Sequence, residues 1–170
     1  MDVGVAVASG ETLPQQVRMA APEDRRPLWE LMTMLHGENG LFSISPSKVD
    51  QMLDRYYNRE RTLIGVIGDP GSPVAAIYLE ITQPVYSDDW MLCEQFNFVH
   101  PDHRRSNYAK SLVAYAKKAA DELRLPLMIG ILSNKRTEEK MRLYDRLLSR
   151  AGGYFIYGLE HADGAQRWEA

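Results

Sequence analysis

Residues 99–112 read Val-His-Pro-Asp-His-Arg-Arg-Ser-Asn-Tyr-Ala-Lys-Ser-Leu, and both flanks of this stretch are strongly patterned. Upstream, Trp90–Val99 (WMLCEQFNFV) predicts a long strand. Downstream, Ala109, Leu112, Val113, Ala116, Ala120 and Leu123 recur at i, i+3 and i+4, which predicts a helix over about Asn107–Leu123. Lys110, Lys117, Lys118 and Asp121 fall on its other faces. The segment is therefore strand, tight loop, helix. A helix N-terminus carries unpaired N–H groups and a partial positive charge. A loop feeding it can wrap a pyrophosphate with backbone donors. Arg104 and Arg105 add charge at the same place. Physical chemistry alone thus offers an anion site here, although many α/β loops carry an arginine and bind nothing.

The pattern extends to both sides. Val17–Ala20 reads as a short strand, and Pro22 sits where a helix can begin without losing a hydrogen bond. Leu28, Leu31, Met32 and Leu35 follow at helical spacing. HGENGLFSISPS is a loop by composition, and a second helix is expected over about Pro46–Asn58, with Val49, Met52, Leu53 and Tyr56 on one face. TLIGVIG and VAAIYLEIT flank DPGSP, a strong turn signal, and so form a hairpin. PLMIGIL (126–132) reads as a strand buried on both faces. A last helix is expected over about Lys135–Arg150, ended by Gly152 and Gly153. YFIYGLE and AQRWE read as a closing hairpin around Asp163–Gly164. The expected order is β-α-α-β-β-β-α-β-α-β-β, an α/β (α+β) domain with one mixed, mostly antiparallel central sheet flanked by helices.

Composition bounds the function. The chain has 170 residues, 45% apolar and 25% charged, the balance of a single globular domain. Residues 1–16 read as an N-terminal extension and 17–170 as the folded domain. A net charge of −3 argues against a general nucleic-acid binder. No apolar run approaches the ~20 residues that span a bilayer. One cysteine, Cys93, excludes an internal disulfide and favours a reducing, cytoplasmic setting. Cys93 reads as a small buried hydrophobe. His100 and His103 flank Asp102, but no further Cys/His cluster supports a metal site.

Val99–Leu112 resembles the loop motif of the GNAT superfamily of acetyl-CoA-dependent N-acetyltransferases, in which V-x-P-x-x-R leads into a turn of the form (R/Q)-x-x-G-x-(G/A) and a helix. Arg104 supplies the first position of that turn and Ala109 the last. Asn107 stands where the family has Gly. Asparagine, after glycine, best tolerates a left-handed conformation, so the turn is expected to survive. VRMAAPEDRRPLWELM is similar to the family's first strand and helix. NKRTEEKMRLYDRLLSRAGGYF is similar to its late helix, with Asn134 and Tyr144 in the Asn and Tyr positions, about one turn further apart than usual. The resemblance covers nearly everything after Val17.

The resemblance implies acetyl-CoA as acyl donor, held by the backbone of this loop, and an amine as acceptor. It assigns Phe98, Val99, Arg104, Arg105, Ser106, Asn107, Tyr108, Ala109 and Asn134 to the donor. It implies that the strand before the loop splays from its neighbour, so that the main chain of Phe96–Val99 pairs with the pantetheine arm. Acyl transfer to an amine needs a base for the amine, donors for the carbonyl oxygen and an acid for the leaving thiolate. Tyr144 is the candidate acid and Glu94 the candidate base, directly or through water. Tyr144 reads equally as a core tyrosine, Glu94 as a surface carboxylate, and Glu80 is an alternative base. The first two helices and their loop are implied to shape the acceptor pocket, which brings forward His36, Glu38, Asn39 and Phe42. Tyr56 and Tyr57 most simply pack the second helix.

Two other readings stand beside the enzyme. One is a catalytically degenerate module that binds CoA or a protein partner, suggested by Asn107 and the Asn134 spacing. The other is a transferase with another acyl donor or a nucleic-acid base as acceptor, which the acidic balance disfavours. Edge strands of the closing hairpin could pair two copies into a homodimer.

Overall fold

A computed structural model of the chain describes residues 16–133, 136–158 and 161, apart from the side chain of Asn39. In chain order the elements are β1 (Arg18–Met19), a 3-10 turn (Pro22–Asp24), α1 (Arg25–Asn39), α2 (Pro46–Tyr57), β2 (Thr62–Ile67), β3 (Ala75–Thr82), β4 (Met91–Val99), a 3-10 turn (Pro101–His103), α3 (Tyr108–Leu123), β5 (Leu127–Met128) and α4 (Thr137–Leu147). The strands form one sheet in the order β1-β2-β3-β4-β5. The first three pairings are antiparallel, and β5 joins β4 in parallel. The expected α/β fold with a mixed, mostly antiparallel sheet is therefore present.

Period-two alternation divides the sheet's side chains between two cores. On one face Val66, Ala76, Tyr78, Phe96 and Phe98 pack with Leu28 and Leu31 of α1 and Leu53 of α2. On the other, Ile67, Ile77, Leu79 and Leu92 pack with Leu112, Ala116 and Ala120 of α3. The small residues at 116, 119 and 120 let α3 lie close against the strands.

The DPGSP segment closes the β2–β3 hairpin as expected. Gly68 is required there: its φ is +117°, and a Cβ would meet the Ser72 carbonyl oxygen at 2.5 Å. Behind this turn lies Asp24, a carboxylate with 0% exposure. Arg18 donates to it at 2.6 and 3.0 Å, the Ala21 N–H at 2.7 Å and the Gly71 N–H at 2.9 Å. Burial pushes the Asp24 carboxyl up, but the Arg18 hydrogen bond and the two N–H donors outweigh it and hold it below the usual range. One side chain so ties β1, the start of α1 and the β2–β3 turn together.

Three expectations change. PLMIGIL does not make a long strand: Leu127 and Met128 pair with Leu92 and Cys93, and the chain then leaves β4. Met128 and Leu132 consequently remain exposed. The last helix ends at Leu147, before the two glycines. Residues 154–158, the described part of YFIYGLE, have no assigned strand. AQRWE and, except for Gln16, the 1–16 extension lie outside the described residues.

Candidate active site

The site begins with an irregularity in β4. Leu79 pairs with Glu94 but Tyr78 pairs with Phe96, so Gln95 is an extra residue on β4, a β-bulge. In a regular strand residues 94 and 97 face opposite ways. The bulge restores them to one face, opposite Leu79 and Ile77, the face that α3 covers. Among the described residues the β4–β5 ladder ends at Cys93 and Met128, so Glu94–Val99 borders a gap in the sheet. Glu94 reaches across it, accepting from the Gly130 N–H at 3.4 Å.

α4 supplies the opposite wall. Asn97 Nδ2 donates to Tyr144 Oη at 3.2 Å, which leaves the phenol's own proton available for donation. One turn earlier, Lys140 Nζ donates to Ser133 Oγ at 3.1 Å. Burial pushes the Glu94 carboxyl up to about 7, while the Gly130 N–H and the Lys140 cation oppose the shift. Burial also raises the Tyr144 phenol, Glu94 adds to this, and the Asn97 hydrogen bond works against it. Burial lowers the Lys140 ammonium, against the attraction of Glu38. At neutral pH the gap thus holds a carboxyl balanced between its two states and a phenol that keeps its proton, a pairing suited to proton transfer.

Two cavities meet here. The first, of about 500 Å³, runs from Asn97–Val99 along the loop before α3 to α4. Within the loop the N–H groups of His103, Arg104 and Ser106 are taken up by turn hydrogen bonds, and that of Tyr108 by Ser106 Oγ. Those of Arg105, Ala109 and Lys110 have no acceptor among the described residues. Asn107 caps α3 at φ −85°, so the turn uses no left-handed residue, contrary to expectation. Lys110, Arg136 and Arg146 add positive charge to this groove. The second cavity, of about 360 Å³, lies on the far side of Asn97, Lys140 and Tyr144, which border both. It is lined by Glu94 and, from the α1–α2 core, by Leu35 and Phe96, so it passes through the sheet at the gap.

This architecture recurs in solved structures. AAC(6')-Iy, in complex with the bisubstrate analogue CoA-S-monomethyl-acetylneamine, matches with a TM-score of 0.68 at 11% identity, over 84% of this chain and 96% of that one. The ribosomal-protein-alanine N-acetyltransferase of Brucella melitensis biovar Abortus 2308 matches with a TM-score of 0.63 at 16% identity, over 84% and 97%. The aminoglycoside antibiotic 6'-N-acetyltransferase AAC(6')-IG of Acinetobacter haemolyticus matches with a TM-score of 0.64 at 16% identity, over 84% and 95%. The chain has the GNAT acetyltransferase fold. No protein-family profile and no curated sequence matches it.

Within this GNAT fold the residues expected at the donor are placed unequally. Phe98, Val99, Arg104, Ser106, Asn107 and Ala109 border the first cavity. The Phe98 ring is buried in the α1–α2 core, so its main chain is what faces the groove. Arg105 is exposed and the Tyr108 ring stacks on His103, and neither borders the groove. Asn134 lies outside the described residues. Arg104 is not an open cation: one of its terminal nitrogens meets both Glu38 oxygens, at 2.5 and 2.6 Å.

Of the residues expected at the acceptor, Glu38 therefore stands in the donor-side groove. His36 Nε2 is hydrogen-bonded to the Phe42 carbonyl, the Phe42 side chain is exposed, and Asn39 ends α1. Neither His36 nor Phe42 borders the second cavity, where Leu35 contributes instead. Glu80 is paired with Arg55 on the opposite face of the sheet, which removes it as a base for this gap. Lys140 was missed by sequence reasoning, although its i, i+4 spacing to Tyr144 puts both on one helix face.

Proposed function

We propose that this chain is an N-acetyltransferase that moves the acetyl group of acetyl-CoA to a primary amine by direct attack in a ternary complex. The observation that carries this reading is the gap between β4 and β5. It opens beside a helix-headed loop with unused N–H groups and is flanked by a half-ionised carboxyl and a protonated phenol. The residues present fit CoA. The Ala109 and Lys110 amides and the cations of the groove suit a diphosphate, and the open edge of Asn97–Val99 suits an amide-bearing arm. When bound, acetyl-CoA supplies an acyl group already activated as a thioester.

The chain's own residues then divide the proton work. Glu94 takes a proton from the acceptor ammonium, which frees the nitrogen lone pair for attack. The open main-chain edge of β4 would offer N–H donors to the carbonyl oxygen as charge builds on it. Tyr144 gives its proton to the departing sulfur and regains one from the new amide nitrogen, while Asn97 holds the phenol oxygen in place. Thiol release from acetyl-CoA in the presence of a primary-amine panel tests this reading. Tyr144→Phe should lower kcat by about 10²-fold, with CoA affinity within about twofold of the parent. An unchanged kcat would remove Tyr144 as the acid, and no thiol release with any amine would favour a binding module.

Glu38 adds a second expectation. Its carboxylate occupies the Arg104 guanidinium and brings negative charge to the groove meant for a diphosphate. Glu38→Gln should therefore tighten CoA binding roughly three- to tenfold in a calorimetric titration, with a stability cost of about 1 kcal/mol or less, as expected for a half-exposed pair. Weaker binding in the variant would mean that the pair shapes the loop rather than competes with the ligand.

A further inference from the structure

The charge of the second cavity identifies a class of acceptor. Among the described residues its only charged side chains are Glu94 and Lys140, one of each sign, and the remaining lining is apolar or uncharged. A polycationic acceptor would need several carboxylates and would meet the Lys140 ammonium. A simple alkylamine would leave that ammonium facing an apolar space with nothing to bind. A zwitterion satisfies both charges.

We propose that the acceptor is the α-amino group of a free amino acid with an apolar side chain, its carboxylate held by Lys140 and its side chain seated toward Leu35, Leu132 and Tyr154. This rests on the N-acetyltransferase reading and names the substrate within it. Lys140 Nζ has three N–H donors, and Ser133 Oγ takes one. The other two have no hydrogen-bond acceptor among the described residues and are available to a carboxylate. Lys140 also borders both cavities, beside Asn97 and Tyr144, so its charge lies where transfer must occur. Glu94 and Lys140 line the same cavity, so an acceptor that carries its amine and its carboxylate close together can engage both. The rest of such a molecule trails into the wider part of the cavity, where Leu35, Leu132 and Tyr154 offer apolar surface. A volume of about 360 Å³ is at the small end for a ligand pocket, in keeping with a single amino acid.

The test compares kcat/KM for leucine, methionine and phenylalanine with isoamylamine, phenethylamine, leucinamide and spermidine, all with acetyl-CoA. The amino acids should lead their carboxylate-free counterparts by at least about tenfold. Lys140→Met should abolish that lead by raising KM for the amino acid while KM for acetyl-CoA holds, and Lys140→Arg should retain most of it. Equal or better turnover of an amine, the amide or spermidine would overturn the proposal. So would a Lys140→Met defect confined to the acetyl-CoA KM, or an absence of thiol release with every amino acid. CoA binding measured separately distinguishes the two levels. Failure to bind CoA sinks the N-acetyltransferase reading, whereas normal CoA binding with the wrong acceptor profile sinks only the amino-acid assignment.

Discussion

Replacing Glu94 by glutamine should cost about 10²–10³-fold in kcat/KM at pH 8 and at the same time stabilise the fold. The activity loss follows from removing the only carboxylate that borders the second cavity among the described residues. The parent's kcat/KM should rise about tenfold per pH unit on the acid side and level off above about pH 7, where Glu94 is ionised. The variant should lack that inflection. The stability gain has the opposite origin. Burial raises the folded-state carboxyl above its unfolded value of about 4.3. Between there and about 7 the folded chain binds more protons than the unfolded chain, so this group's contribution to stability falls as pH rises and is lowest above 7. Glu94→Gln should thus exceed the parent by about 1–3 kcal/mol at pH 8 and match it near pH 4, as read by urea denaturation. A variant that is both inactive and more stable cannot owe its inactivity to misfolding. Equal stability at both pH values would show that the carboxyl is well solvated and unfit for the role of a poised base.

The largest stability effect is expected at Asp24. Asp24→Ala removes the one acceptor for two Arg18 N–H groups and for the Ala21 and Gly71 amides, all converging on a fully buried site. Breaking a buried pair from one side costs about 3–5 kcal/mol, because the remaining donors lose their partner without regaining water. For a chain of this size that corresponds to a fall of roughly 10 °C in Tm. Because Asp24 has a depressed pKa, its contribution is present above the unfolded carboxylate value and is lost as pH falls through the folded one. The deficit of the variant should therefore shrink in strong acid. A loss below 1 kcal/mol at neutral pH would mean that water reaches Arg18 and replaces the carboxylate.

The sequence was most legible where periodicity and turn chemistry agree. The stripe Ala109–Leu123, the DPGSP hairpin and the Pro46 helix start each carry a local signal, and each element appears within a residue or two of its expected bounds. PLMIGIL misled because an all-apolar run cannot report how many of its residues have a strand partner. The β4 bulge left no local mark in WMLCEQFNFV, since Gln95 resembles any outward-facing strand residue. That bulge is nevertheless what sets Glu94 and Asn97 on one face. The placement of the acceptor-side residues was hidden for a related reason. Composition puts His36, Glu38 and Phe42 in one loop, whereas α1 runs on to Asn39, and only tertiary packing decides that Glu38 turns to Arg104 and His36 to the Phe42 carbonyl. Lys140 was legible only in hindsight, once Tyr144 had fixed which face of α4 meets the gap.

Titration of the ¹⁵N-labelled full chain with CoA, followed by amide chemical shifts, probes the donor groove at the atoms that define it. Saturable binding should move the amides of Ala109 and Lys110 most, together with those of Asn97–Val99 on the open edge of β4. Saturable binding that leaves these amides unmoved, or no binding at millimolar CoA, would contradict the assignment of this groove to a diphosphate-bearing acyl donor.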